Sequence, residues 1–331
     1  MRICVFGAGA VGGHIAARFA AQQHEVSVFA RGAHLEAMRA KGVTLHTGGE
    51  TLGGAVRGSD RAADLGPQEL IFVTLKANLL ALFAGQAKPL LGKDTPVVFV
   101  QNGIPFWYAQ GLAPNRPRPP DLSRLDPAGA LAKAVSPERI VGAVVFSANH
   151  VAAPGVIENS TPGRNMLTVG EPDDGQTPRI VALRQLIAAS GLHSPDTADI
   201  RQAIWGKLVL NLGSSTLCTL TSLTAGAMVS DPDLGRIRDR ISAEGIAIAR
   251  AHGIAVEGAP LRPGGHVPGI AGHKPSMLQD FERGRPMEVE SQLMTPLAFA
   301  KAAQVEVPAF ELAAVLCARR AAERGLYAPP Q

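Results

Sequence analysis

The sequence predicts an N-terminal α/β domain built on a doubly wound parallel sheet, residues 1–195, followed by an all-α C-terminal domain, residues 196–331. Three observations carry that reading. Short β-branched runs alternate with helical stretches through the first two hundred residues. The runs are mostly apolar rather than alternating, as strands covered on both faces are. After about Asp196 strand signals stop and long helical periodicity takes over.

Strands are read at Ile3 to Phe6, Val26 to Phe29, Leu70 to Leu75, Val97 to Val100 and Val141 to Phe146, each rich in Val, Ile, Leu and Phe. Gly155 to Glu158 and Met166 to Val169, separated by polar turn residues, read as a hairpin at the sheet edge. Between Gly111 and Pro137 the six prolines, with the run Asn115-Arg116-Pro117-Arg118-Pro119-Pro120, read as an exposed loop. In the second domain Ala203 to Gly213 reads as a buried helix. Leu234, Ile237, Ile241 and Ile248 recur at helical spacing up to Gly253, Ser276 stands at the start of a further helix, and Phe310 to Ala322 forms a closing amphipathic helix.

At 46% hydrophobic and 18% charged, the 331-residue chain has the composition of a globular protein, which excludes a disordered or fibrous one. Lys plus Arg number 32 against 28 Asp plus Glu, a net charge of +4. The one knot of like charge, Arg236, Arg238 and Arg240, lies among acids on a helix and reads as a solvated face, not a nucleic-acid surface. Cys4, Cys218 and Cys317 are far apart, which indicates neither a zinc cluster nor a disulfide framework and fits a reducing, cytoplasmic compartment. No run of about 18 apolar residues marks a membrane span. Met1 to Ala20 has the outline of a short signal peptide, but His14 and Arg18 interrupt its apolar run, and cleavage would remove the best motif in the chain. His266 and His273, in a Gly- and Pro-rich stretch, read as surface histidines, and no metal site is expected.

That motif is Gly7-Ala8-Gly9-Ala10-Val11-Gly12, which follows a strand directly and opens a helix. Its glycines serve a tight turn, close approach of backbone to a pyrophosphate and close helix–sheet packing, with the helix N-terminus facing the phosphates. The domain is therefore expected to be Rossmann-like. About 20 residues on, where an acid would accept from a ribose 2′-hydroxyl, the second strand ends in Arg31, while Glu25 lies at its opposite end. An arginine there argues for NADP(H), its planar fork matched to a 2′-phosphate. Two further strand ends carry polar groups at the carboxyl edge where open sheets hold ligands: Val73-Thr74-Leu75-Lys76-Ala77 and Val100-Gln101-Asn102-Gly103. Lys76 and Asn102 would face the nicotinamide end.

Outside the glycine loop the sharpest signal is Trp205-Gly206-Lys207-Leu208-Val209-Leu210-Asn211. Lys207 and Asn211 are the strongly polar side chains of an otherwise apolar helix, and with Ser215 they stack on one side at four-residue spacing. A lone ammonium there needs a partner or a wet cavity. A stem that snorkels to the surface is the alternative, but it leaves Asn211 unexplained. Ser276 reads as a helix cap or a ligand, and Glu288 as an exposed acid or a partner; spacing alone brings neither to Lys207.

Taken in order, G-A-G-A-V-G, Arg31, V-T-L-K-A, Q-N-G, W-G-K-L-x-x-N, S-M-L-Q-D and a Glu twelve residues beyond its Ser resemble the ketopantoate reductases, also called 2-dehydropantoate 2-reductases. The resemblance runs from Met1 to about Glu290. It implies NADPH-dependent reduction of 2-dehydropantoate to pantoate on the route to pantothenate. It further implies Lys207 as general acid with Glu288 beside it, Asn102, Asn211 and Ser276 at the substrate, and Lys76 and Asn102 at the nicotinamide. Two positions depart from the family pattern: Ser215 stands where a second Asn is usual, and Leu293-Met294 where an Asn-Gly pair is usual. Both leave a different small 2-oxo acid open as substrate. A non-enzymatic NADP(H) sensor is the remaining alternative, and a homodimer is compatible with either.

Overall fold

The structure is a computed structural model and describes residues 1–256 and 272–328. The chain divides into two compact units, Met1–Gln101 with Asp126–Ile200, and Asn102–Leu125 with Arg201–Gln331. A single cut at 195/196 therefore does not describe it, because residues 102–125 belong with the helices.

The first unit contains β1 (Arg2–Phe6), α1 (Ala10–Ala21), β2 (Glu25–Phe29), α2 (Gly32–Lys41), β3 (Val43–Thr47), β4 (Glu50–Gly54), β5 (Arg57–Ser59) and β6 (Leu70–Val73). There follow α3 (Leu80–Gln86), β7 (Val97–Val100), α4 (Ala130–Ala134), β8 (Ile140–Phe146), β9 (Asn149–Ala153), β10 (Val156–Asn159), β11 (Met166–Gly170) and α5 (Pro178–Ala189). A seven-stranded sheet runs in the order β11, β8, β7, β6, β1, β2, β5, parallel except for the edge strand β11. The chain leaves β1 between neighbours that connect in opposite directions, the point at which such sheets bind ligands. Both faces are covered. Phe6 stacks on Phe29 with centroids 4.0 Å apart and meets Phe83 edge-on, while Ile3, Val5, Ile15, Phe19 and Val28 are buried with α1 on the other side.

The expected hairpin does not form. β11 pairs antiparallel with β8, whereas β10 lies in a second sheet, ordered β4, β3, β10, β9, that packs on α1. The reason lies in β10 itself, whose Ile157 is buried against α1 while Glu158 faces out. The strand ends are held by a polar knot in which Asn159 and Asn165 exchange hydrogen bonds with each other and with Ser147. β3, β4 and β5 have no counterpart in the sequence reading: β4 carries two glycines and β5 is three residues long, too little for a periodic signal. Nor is the proline-rich stretch only loop, since α4 buries Leu131 and Val135 follows it into the core.

The second unit is helical: α6 (Ile200–Thr221), α7 (Ala225–Ser230), α8 (Pro232–Ala251), α9 (Ser276–Glu282), α10 (Thr295–Ala302) and α11 (Pro308–Glu323). Arg201, fully buried, explains why residues 102–125 join it. Its guanidinium donates to the carbonyls of Tyr108, at 2.8 and 3.0 Å, and Gln110, at 2.6 Å. Trp205 Nε1 donates to the Tyr108 hydroxyl, and Phe299 packs edge-on against Tyr108, Trp205 and His252. Asp231 caps α8 by accepting from Asp233 N and Leu234 N, and the buried Glu244 of α8 accepts from Phe310 N at the start of α11. One expectation on α8 fails. Ile237 is 43% exposed and Arg238 only 2%, so the arginine trio is not wholly a solvated face. Gly213 on α6 makes room for the Arg238 stem, and the guanidinium turns back to Asp239.

Candidate active site

The turn after β1 is shaped by contacts that only glycine permits. Gly7 adopts φ +107°, and a Cβ there would stand 2.8 Å from the Leu75 side chain. A Cβ on Gly12 would lie 2.4 Å from both the Gly7 carbonyl oxygen and Thr74 Oγ1. Thr74 Oγ1 donates to Gly7 O at 2.8 Å, and the N–H groups of Gly7 and Ala8 both donate to Phe29 O, so β1, β2 and β6 jointly fix the turn. Gly9, the N-cap of α1, differs: nothing lies within 4 Å of the Cβ it lacks, and the first turn, with Ala10, Val11 and Gly12, carries no acid. An open side at a helix N-terminus, where backbone can come close to an anion, fits a dinucleotide's pyrophosphate.

Arg31 is exposed and is the N-cap residue of α2, directly after β2, while Glu25 begins that strand at the far end. His34, which sequence reasoning passed over, ties this corner to the glycine turn. It accepts from Gly155 N at Nδ1, so its Nε2 carries the proton and donates to Ala8 O at 2.7 Å. Lys76, at the carboxyl end of β6, precedes a short turn at Ala77–Leu79 and is partly buried.

In the second unit, α6 carries Lys207, Asn211 and Ser215 on one side. Lys207 Nζ donates to Asn102 Oδ1 at 2.6 Å, and Asn102 Nδ2 lies 3.5 Å from Glu288 Oε2. Gln292 Nε2 approaches the same carboxylate oxygen at 3.4 Å, and its Oε1 accepts from Asn211 Nδ2 at 3.4 Å. An ionised carboxylate only accepts and an ammonium only donates, so Asn102 and Gln292 turn their nitrogens to the acid, Asn102 keeps its oxygen toward the ammonium, and Gln292 offers its oxygen to Asn211. Burial pulls the Lys207 ammonium from its usual 10.5 down to about 8, against the opposing pull of the Glu288 charge. Such a group is an acid poised close to neutral pH.

Glu288 is 6% exposed and immediately precedes a helical stretch. The other acid of Met287-Glu288-Val289-Glu290 is engaged elsewhere, since Glu290 accepts from Arg124 at 2.6 Å and from the Tyr327 hydroxyl at 2.7 Å. Residues Glu290–Met294 form a π turn, an uncommon geometry that recurs at functional sites. Residues 102–104 are strapped to it: Ile104 N donates to Ser291 O, and a Cβ on Gly103, at φ +79°, would collide with that carbonyl at 2.3 Å. Gln292 is the residue that spacing did not reveal, its only trace being a glutamine four residues after Glu288. Ser215 is buried and Ser276 exposed at the start of α9, and neither joins this hydrogen-bonded set among the described residues. His266 lies outside the described residues, and His273 is partly buried.

Two family models match the chain, "Ketopantoate reductase PanE/ApbA" over residues 3–173 and its C-terminal counterpart over 199–321. The chain belongs to the ketopantoate reductase family. A 2-dehydropantoate 2-reductase of Mesorhizobium japonicum is 36% identical to it over 331 residues, covering 99% of this chain and 100% of the relative. A solved 2-dehydropantoate 2-reductase from Geobacter metallireducens shares the fold with a TM-score of 0.81 at 26% identity, over 96% of this chain and 99% of the other. D-mandelate dehydrogenase, solved with NADH and anilino(oxo)acetate, shares the fold alone: TM-score 0.82 at 19% identity, over 99% and 100% of the two chains. As a ketopantoate reductase family member the chain is an oxidoreductase with a parallel-sheet N-terminal unit and a helical C-terminal one. Among its described residues no helix is long and apolar enough to cross a membrane, and no group of three or more His, Cys, Asp or Glu is placed to hold a metal ion.

Proposed function

We propose that this chain reduces 2-dehydropantoate to pantoate with NADPH, on the route to pantothenate. The observation that carries the reading is the Lys207 ammonium, lowered to about 8 and held by an amide whose sense the Glu288 carboxylate sets. The glycine turn from Gly7 to Gly12 holds the pyrophosphate. Arg31 meets the 2′-phosphate, with no acid at that strand end to favour an unphosphorylated ribose. Lys76 and Asn102 line the nicotinamide end, and a bound nicotinamide supplies the hydride to the ketone carbon. As negative charge grows on the carbonyl oxygen, Lys207 polarises it and then gives up a proton to it, regaining one from water. Asn102 accepts one ammonium N–H, Asn211 orients the substrate by hydrogen bonding, and the Ser276 and Ser215 hydroxyls complete its recognition.

Ser215 and Leu293-Met294, which replace amide-bearing family positions, favour one second reading, a different small 2-oxo acid. A panel of 2-oxo acids offered with NADPH and with NADH decides: fastest turnover of 2-dehydropantoate with NADPH is the expected result. A better substrate selects the second reading, and no turnover of any leaves a nicotinamide sensor. A cytoplasmic setting suits three buried cysteines whose thiols burial pushes up to about 12, 11 and 12 for Cys4, Cys218 and Cys317. A homodimer is part of the same proposal: Leu312, Val315 and Leu316 share an exposed face of α11, and light scattering reads the mass.

A further inference from the structure

We infer that Gln292 is a positioning residue of this site: its amide, carried on the π turn, fixes the Glu288 carboxylate and the Asn211 side chain in one mutual orientation. The inference rests on the proposed oxo-acid reduction for its kinetic consequence. Gln292 is 3% exposed, between the buried Val289 and Leu293. Burying a primary amide is costly unless its ends are hydrogen-bonded, and here both are, by groups that the mechanism uses. Its partners arrive on separate stretches of chain, Glu288 ahead of the π turn and Asn211 from α6. The turn that carries it is clamped from outside, by Ile104 N on Ser291 O and by Gly103, whose missing Cβ would also lie 2.9 Å from Gln292 Cγ.

The sense of the amide follows from charge. Glu288 cannot donate, so Gln292 faces it with Nε2 and must offer Oε1 to Asn211. Asn211 then has one N–H committed, and its oxygen and remaining N–H have fixed places. Without Gln292, Asn211 is free to turn its amide over and Glu288 loses a donor. The charged and titratable groups around this point include Lys207, which donates to Asn102, Glu288 itself, and Glu290 with Arg124 and Tyr327.

Two variants and three readouts test it. Gln292→Met keeps length and bulk but neither donates nor accepts as an amide does. It is expected to lower kcat/KM for 2-dehydropantoate about tenfold or more, carried mainly by KM, and to move the acid limb of the pH profile upward. Gln292→Glu still accepts from Asn211 but sets a second carboxylate against Glu288. It is expected to hold KM closer to the starting value, to raise the acid limb by about one pH unit, and to raise the titration of Lys207, followed in ligand-free protein through the pH dependence of its acylation. A purely structural glutamine would lower the melting temperature and leave both limbs and the Lys207 titration in place, which overturns the inference. A raised Lys207 titration in a protein that turns over no 2-oxo acid upholds it and overturns the proposed function instead.

Discussion

Replacing Glu288 by Gln removes one charge and keeps the shape, and its effect can be worked from the site. Lys207 is held down from 10.5 to about 8, a net displacement worth about 3.4 kcal/mol at ~1.36 kcal/mol per pH unit. Burial drives it and Glu288 opposes it, so losing the acid lets burial act alone and lowers the ammonium further. Asn102, which accepts from Lys207, also lies 3.5 Å from Glu288. At an effective dielectric of about 20, a unit charge within roughly 4 to 8 Å is worth on the order of 2 to 4 kcal/mol, which is at least about one pH unit. Reduction needs the protonated ammonium, so activity is lost as pH rises through the Lys207 value, and a lower value brings the loss earlier. The assay is kcat/KM for 2-dehydropantoate, read from reduced-nicotinamide absorbance between about pH 6 and pH 10, whose limbs belong to the free enzyme. The basic limb is expected near pH 8 in the parent and near pH 7 or below in Glu288→Gln. The plateau also falls, because a neutral amide holds the Asn102 and Gln292 nitrogens less tightly than a carboxylate does. A limb that stays put or moves upward would refute both the electrostatic account and the assignment of Lys207 as proton donor.

Lys207→Ala is expected to lower kcat by about 10² to 10⁴-fold while nicotinamide binding, followed by fluorescence, stays within a few-fold; near-normal turnover sinks the assignment. Arg31→Ala is expected to weaken NADPH by about tenfold or more and NADH much less, and equal losses would show that this side chain does not read the 2′-phosphate. His14 on α1 accepts from Arg18 Nε at 2.6 Å and is held at about 3, by burial first and the Arg18 charge second. Its folded value is depressed below the usual 6.5, so the unfolded chain takes up the proton first. The stability involved is present above about pH 6.5 and is lost toward pH 3, a span worth about 4–5 kcal/mol at most. Urea midpoints of the parent should therefore fall more steeply below pH 6.5 than those of His14→Gln, and parallel slopes would contradict the burial of a neutral imidazole.

How far the sequence disclosed all this depends on the range of the interaction concerned. The strands β1, β2, β6, β7 and β8 and the glycine turn are local facts: an apolar run, then glycines where a Cβ would meet Leu75 or Gly7 O, are written consecutively in the chain. The second sheet is not local. β10 reads as a partner of β11 by proximity, yet Ile157 finds a better apolar surface on α1, and β3, far back in the chain, supplies its edge. On α8 the 3.6-residue rule placed Ile237 inward, and the choice went instead to Arg238, because the facing residue of α6 is Gly213 and a long stem fits where a branched side chain does not.

The site shows the same division. Lys207 and Asn211 were legible because two polar groups four residues apart in an apolar helix lack a structural excuse. That Asn102 accepts a hydrogen bond from the ammonium depends on a contact spanning 105 residues. Gln292 was hidden for a different reason: the i, i+4 step from Glu288 looks like one more turn of ordinary helix, and only the π turn, clamped by Gly103 and Ile104, sets the amide between an acid and another amide. The polarity of that set is therefore a collective property. The Glu288 carboxylate draws the nitrogens of Asn102 and Gln292, and Asn211 follows through Gln292, so a neutral replacement at position 288 loosens amides on three separate stretches of chain. A double variant, Glu288→Gln with Gln292→Met, is accordingly expected to cost less than the two single losses combined, and strictly additive losses would show that the groups act separately.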